Sequence, residues 1–94
     1  MKQGRTLIEM RELFGDLIVW QAQRTDPADL RLAPGLMDRV HDGADALLTM
    51  RGDPAEQRRY VAELPYESRL VLCMWLLDTE MAAKLVRAIH AKGM

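Results

Sequence analysis

The stretch Leu70-Val71-Leu72-Cys73-Met74-Trp75-Leu76-Leu77 is an unbroken run of eight apolar residues, and the rest of the chain must pack around it. Eight consecutive positions cover the whole circumference of an α-helix, so this segment has no side suited to water. It is too short to cross a bilayer, which takes about 20 apolar residues. We therefore predict a central helix that is surrounded by the rest of the chain or by a second copy of it.

Composition indicates one small helical domain that covers residues 1–94. Hydrophobic residues make up 49% of the chain, which is ample for a core, and the many Leu, Met and Ala residues favour helix over strand. The net charge is −1 and the basic residues are scattered, so the sequence does not favour a nucleic-acid partner and predicts no membrane partner. Glu9, Arg11 and Glu12 interrupt the apolar residues near the N-terminus, which argues against a secretory signal and predicts a cytoplasmic location.

Helix start and stop signals divide the chain into four predicted helices. Thr6 and Glu9 have the spacing of a capping box, and Pro27 ends the first helix. Gly52 is expected in the left-handed conformation just beyond the second helix. Asp53 and Pro54 begin the third helix, and Pro65 separates it from the last. The predicted helices span residues 7–24, 34–51, 54–64 and 66–91. The sequence leaves open whether the last helix is continuous or broken at Asp78-Thr79. The predicted fold is an all-α, compact bundle of about four helices with a central, strongly apolar C-terminal helix.

The apolar sides of these helices predict which residues form the core. In the last helix, Leu72 and Trp75 are expected to be among the most buried positions. Gly43 interrupts the second helix at a cost of about 1 kcal/mol relative to Ala, and close approach of a neighbouring helix explains it. In the first helix, a 100° step per residue places one broad set of side chains toward the core. This set contains Leu7, Met10, Leu13, Phe14, Leu17, Ile18 and Trp20.

Four apolar residues fall outside the predicted core sides, and we expect them to bind a partner. Cys73 and Leu76 lie within the polar stripe of the last helix, and Ile8 and Val19 lie together away from the apolar side of the first. Exposed apolar surface of this kind marks sites of protein association. The alternative is that the helices surround one another more fully than this pattern implies. The partner-binding interpretation predicts a homodimer, a complex with another protein, or both.

Residues able to carry catalysis or bind metal are few. Cys73 is the only cysteine and lies in an apolar run, so we interpret it as a structural thiol. His41 and His90 have no Cys or second His at metal-ligand spacing, and we interpret both as solvated. The sequence contains no glycine-rich phosphate loop, nucleophile elbow or HExxH motif. It therefore predicts neither an enzyme nor a cofactor nor a metal site.

By elimination, the sequence favours a small protein-interaction module, a regulator, inhibitor or adaptor that acts through an apolar helical surface and self-associates. An alternative comes from Leu64-Pro65-Tyr66-Glu67-Ser68-Arg69. This segment resembles the Leu-Pro-x-x-x-Arg start of a helix-turn-helix of the sigma-factor type. The resemblance implies a DNA-binding transcriptional regulator with a divergent helix-turn-helix in residues 65–92. A glycine-containing turn and a basic recognition helix are missing from that segment, so the chain is not assigned to the family.

Overall fold

The computed structural model describes residues 7–30, 35–77 and 79–91, except for the side chains of residues 79 and 89–91. Within these residues the chain is all-α and contains no strand, which confirms the predicted fold class. The elements in chain order are α1 (Leu7–Phe14), α2 (Asp16–Arg24), a 3-10 turn (Pro27–Asp29), α3 (Leu36–Thr49), α4 (Pro54–Ala62), α5 (Tyr66–Leu77) and α6 (Thr79–Ala91). The described residues thus form six α-helices where the sequence predicted about four. The capping role of Thr6 lies outside them.

The apolar stretch forms the last eight residues of α5, which packs against α1, α2, α3 and α6. Every residue from 70 to 74 is buried, and Leu72 is buried as predicted. The prediction that Trp75 is among the most buried residues is wrong, because its indole is only partly buried and contacts the exposed His41 ring edge-on at 5.0 Å. The central helix is also not the C-terminal one. The predicted helix over residues 66–91 consists of α5 and α6, with Asp78 outside the described residues.

Gly15 divides the predicted first helix into α1 and α2. Its φ of 92° and ψ of 153° lie outside the helical region, in a conformation that costs glycine little and other residues much. Hydrogen bonds continue on both sides of it, from Gly15 N to Arg11 O (2.9 Å) and from Val19 N to Gly15 O (3.2 Å). The chain therefore continues into α2 with its sides rotated relative to those of α1.

The predicted caps between α3 and α4 are partly confirmed. The Asp53 carboxylate accepts the Glu56 amide at 3.1 Å, and Pro54 occupies the first turn of α4, as the sequence indicated. Gly52 does not adopt the left-handed conformation expected just beyond α3. Instead a turn closed by Asp53 N and Met50 O (2.9 Å) leads from α3 to α4, and it needs no positive φ.

Gly43 and Leu47 place α3 against α5 and α4, respectively. Gly43 is buried against α5, and a Cβ atom added to it would lie only 3.1 Å from Cδ2 of Leu72, which confirms the predicted close approach. The buried Gln57 side chain of α4 donates its Nε2 hydrogen to the carbonyl of Leu47 at 2.9 Å. Leu47 lies in the last turn of α3, where carbonyls lack intrahelical donors, so Gln57 satisfies a group that burial would otherwise leave unpaired.

Candidate partner-binding surface

The structure separates the four residues that the sequence predicted to bind a partner. Ile8 is 68% exposed on α1. Leu76 is partly buried and packs against the core. Val19 and Cys73 each have 0% of their surface exposed. The expectation that Val19 and Cys73 lie on an exposed surface is wrong, so neither can reach a second chain in this fold.

The error on α2 has one physical cause. Continuing the 100° periodicity from α1 across Gly15, whose backbone is not helical, predicts the wrong side for several α2 residues, although Ile18 is buried as predicted. Val19, predicted outward, lies in the core, whereas Leu17 and Trp20, predicted inward, are 67% and 52% exposed. A glycine within a helical pattern is a recognised signal of interruption, and Gly15 could have revealed this break.

The residues that α2 exposes form a continuous surface with the start of α5. Leu17, Trp20 and Arg24 are separated by three and four positions, a spacing that places them on one side of the helix. Gln21, one turn beyond Leu17, accepts a hydrogen bond from the hydroxyl of Tyr66, the first residue of α5. The ring of Tyr66 is half exposed. We call these five residues the α2 surface.

Arg24 orders one end of the α2 surface. Its guanidinium carbon lies 4.4 Å from the centroid of the Trp20 ring, in cation–π geometry, and its Nη1 donates to Trp20 O at 3.4 Å. This stacking holds the indole against the helix and reduces the rotamer freedom that binding would remove. Trp, Tyr and Arg are the residue types that contribute most of the binding energy at protein interfaces. The α2 surface contains one of each.

The clefts on the described surface include two that adjoin α1 or α2. One, of about 340 Å³, lies beside the α2 surface and is lined by Arg11, Asp16, Trp20 and Gln23. The other, of about 170 Å³, lies between α1 and α4 and is lined by Glu9, Glu12, Leu13, Arg51, Pro54, Gln57 and Arg58. Both are open and mixed in charge, unlike the enclosed, mainly apolar pockets that hold small ligands.

The surroundings of Cys73 and His41 indicate roles in packing rather than in catalysis. Burial in the core raises the pKa of the Cys73 thiol to about 12, so the protonated, unreactive form predominates at neutral pH. His41 is exposed beside Trp75, and the side chain of His90 lies outside the described residues. Among the described residues, no group of three or more His, Cys, Asp or Glu side chains is placed to hold a metal ion.

The Leu-Pro-x-x-x-Arg segment has a structural explanation. Nη2 of Arg69 donates to the carbonyl of Leu64 at 3.2 Å, so this arginine closes the junction between α4 and α5. Of the two helices in the proposed helix-turn-helix, α5 is largely buried, and α6 has a charged exposed side. That side combines Lys84 and Arg87 with Glu80 rather than presenting a continuous basic surface.

The helices in the described part of the chain all lack the combination of length and apolar character needed to cross a membrane.

Comparison with models of protein families, with curated protein sequences and with solved structures finds no significant match to this chain. The function must therefore be argued from the surface itself.

Proposed function

We propose that this chain is a small cytoplasmic protein-interaction module that acts as a regulator, inhibitor or adaptor. In this proposal the α2 surface docks on the apolar side of a partner protein. The observation that carries the proposal is the exposure of Leu17, Trp20 and Tyr66 on one continuous surface, next to an arginine stacked on the indole. Large apolar side chains that cluster at the surface are typical of association sites, whereas single ones are ordinary.

The exposed indole alone offers a substantial binding energy. A tryptophan side chain of about 200 Å² that is 52% exposed leaves roughly 100 Å² of Trp20 in contact with water. Burying that area under a partner is worth about 2.5 kcal/mol at about 25 cal/mol per Å². Removing it should therefore weaken a complex between tenfold and a hundredfold. Trp20 is consequently the residue on which we expect binding to depend most.

Partner binding through Ile8 and Leu76 and DNA binding through residues 65–92 are the other interpretations that the sequence offers. Ile8 and Leu76 stay predicted partner contacts, and Ile8 has the exposure that this role requires. DNA binding through residues 65–92 stays an alternative with less support, since Arg69 is engaged by Leu64 and the exposed side of α6 mixes acids with bases.

Site-specific photo-crosslinking in cells of the source organism tests the proposed function. A photoreactive amino acid at position 17, which keeps Trp20 intact, should capture a discrete partner protein. The same amino acid at position 48 serves as the matched control, because Leu48 is 60% exposed on α3, outside the α2 surface. The partner identified by mass spectrometry is then purified and titrated against the parent chain and Trp20→Ala.

We expect an adduct at position 17 that is absent at position 48, and binding that is at least tenfold weaker for Trp20→Ala than for Leu48→Ala. Thermal melts of both variants should resemble that of the parent, since both side chains are exposed. Identical adducts at the two positions, or equal affinities of the two variants for the partner, would contradict the proposal.

A further inference from the structure

We propose that a second copy of this chain binds to the α2 surface, with the two α2 helices packed antiparallel about a two-fold axis at Trp20. This inference rests on the proposed function, because it names one partner for the same surface. An isologous contact of this kind uses one patch twice, so every residue of the patch must be compatible with its symmetry mate. The sequence of α2 meets that requirement through the charges at its two ends and the exposed apolar side chains between them.

Charge complementarity selects the antiparallel arrangement. Asp16 begins α2 and Arg24 ends it, each four residues from Trp20 and therefore about 6 Å from it along the helix. Two-fold symmetry through Trp20 brings Asp16 beside the partner's Arg24, and the same pair forms again at the other end. A parallel arrangement would instead place like charges together at both ends, which disfavours association.

The side chains between these charges are suited to a shared apolar contact. Trp20 lies at the symmetry axis, where it meets Trp20 of the partner subunit, and paired indoles gain from offset or edge-to-face contact. Leu17 lies on the same side of α2 and extends the contact toward the Asp16 end. Arg24 remains able to bind a carboxylate, because its described hydrogen bond to Trp20 O uses one of five N–H donors.

The size of this surface predicts a weak dimer. The nine residues of α2 extend for about 13 Å, and Tyr66 adds the start of α5. Contacts this small fall below about 1,200 Å² of total buried surface, the range of transient complexes. We therefore expect a dissociation constant between about 1 μM and 1 mM rather than an obligate dimer. Such a dimer would compete with a heterologous partner for the same residues and would release the surface on dilution.

Charge reversal provides a test that uses the symmetry itself. Asp16→Arg creates two Arg–Arg encounters in the antiparallel dimer, and Arg24→Asp creates two Asp–Asp encounters. Each variant alone should dimerise about tenfold more weakly than the parent. An equimolar mixture of the two restores both opposite-charge pairs, so a heterodimer of near-parental affinity should form. The double variant Asp16→Arg with Arg24→Asp should also recover self-association.

Sedimentation equilibrium at concentrations up to about 1 mM measures each state. Both reversals oppose the dipole of α2 and cost some helix stability, which circular dichroism monitors. The mixture contains the same altered chains, so its recovery cannot come from a change in monomer stability. Trp20→Ala should abolish dimerisation, and Leu48→Ala should not affect it.

Three results would overturn the proposal: a parent chain that is monomeric throughout this range, a dimer unaffected by either reversal, or a mixture no tighter than its components. A monomeric parent that still crosslinks to a different protein from position 17 would leave the proposed function standing. Loss of both dimer and crosslink would remove both proposals.

Discussion

Replacing Gly43 by Ala should be neutral or destabilising in the parent protein but stabilising once Leu72 is shortened. In the parent, the added Cβ would lie 3.1 Å from Cδ2 and 3.6 Å from Cδ1 of Leu72. The gain in helix propensity is about 1 kcal/mol. Displacing the leucine costs about 1–3 kcal/mol, as overpacking of a core generally does. The net change expected in the parent is therefore between zero and about 2 kcal/mol of destabilisation.

The same change should be stabilising once Leu72 is shortened. Leu72→Ala removes both Cδ atoms and should itself cost about 2–5 kcal/mol, because Leu72 is fully buried at the centre of the fold. With the obstacle gone, Gly43→Ala keeps its propensity gain of about 1 kcal/mol and fills part of the new space. The two substitutions should thus be coupled by about 1–3 kcal/mol.

Urea denaturation of the four proteins in this cycle gives the coupling directly. Gly52→Ala is the matched control, because Gly52 lacks both a positive φ and any heavy atom within 4 Å of an added Cβ, as judged from the described residues. Its effect should be small and should add to that of Leu72→Ala within about 0.5 kcal/mol. Additivity of the Gly43 and Leu72 substitutions within the same margin would refute the close packing of α3 on α5.

A buried hydrogen bond, a helix cap, the Cys73 thiol and the DNA-binding alternative can each be tested separately. Gln57→Leu keeps the side-chain volume but removes the donor to the buried Leu47 carbonyl, and it should destabilise the fold by about 1–3 kcal/mol; a loss below about 0.5 kcal/mol in a urea melt would contradict that role. Asp53→Ala should cost about 1 kcal/mol through loss of the N-cap, whereas Asp42→Ala on an exposed side of α3 should cost little in the same assay. Burial raises the pKa of the Cys73 thiol from 9.0 to about 12, so above pH 9 the folded state retains a proton that the unfolded state has lost. The free energy of unfolding in urea melts should therefore decline as the pH rises from about 9 toward 12. Ellman's reagent should correspondingly label the thiol slowly at pH 8 and rapidly in guanidinium, and fast labelling of the folded chain would contradict its burial. In a gel shift on random duplex DNA at low salt we expect no retarded band; a band that weakens steeply with salt would favour the DNA-binding alternative.

Features governed by neighbouring residues could be predicted from the sequence. The burial of residues 70–74 within the apolar stretch 70–77, the Asp53 cap and a close helix approach at Gly43 are each signalled by residue types within one or two turns. That the residue approaching Gly43 is Leu72 is not signalled locally. Features that depend on distant residues could not be predicted. The bond between Gln57 and the Leu47 carbonyl joins residues of different helices, and that between Tyr66 and Gln21 spans 45 positions.

The incorrect prediction for the α2 surface comes from treating α1 and α2 as one continuous helix. Helical periodicity gives the direction of each side chain only relative to its neighbours in the same helix. A single non-helical residue at Gly15 therefore shifts the predicted directions of the α2 side chains relative to those of α1. Treating α2 as a separate helix would have placed Ile18, Val19 and Ala22 inward together and left Trp20 outward, as the structure has them. The correct prediction needed the break, which glycine permits but does not require.

The central position of α5 also has a consequence for synthesis on the ribosome. Helices α1, α2 and α3 all pack against α5, yet all three precede it in the chain. At about 5–20 residues per second, the ribosome takes seconds to proceed from α2 to the end of α5. During that interval the apolar sides of the early helices have no completed core to cover them. A nascent chain stalled before residue 66 should therefore engage chaperones, and release from them should coincide with the emergence of α5.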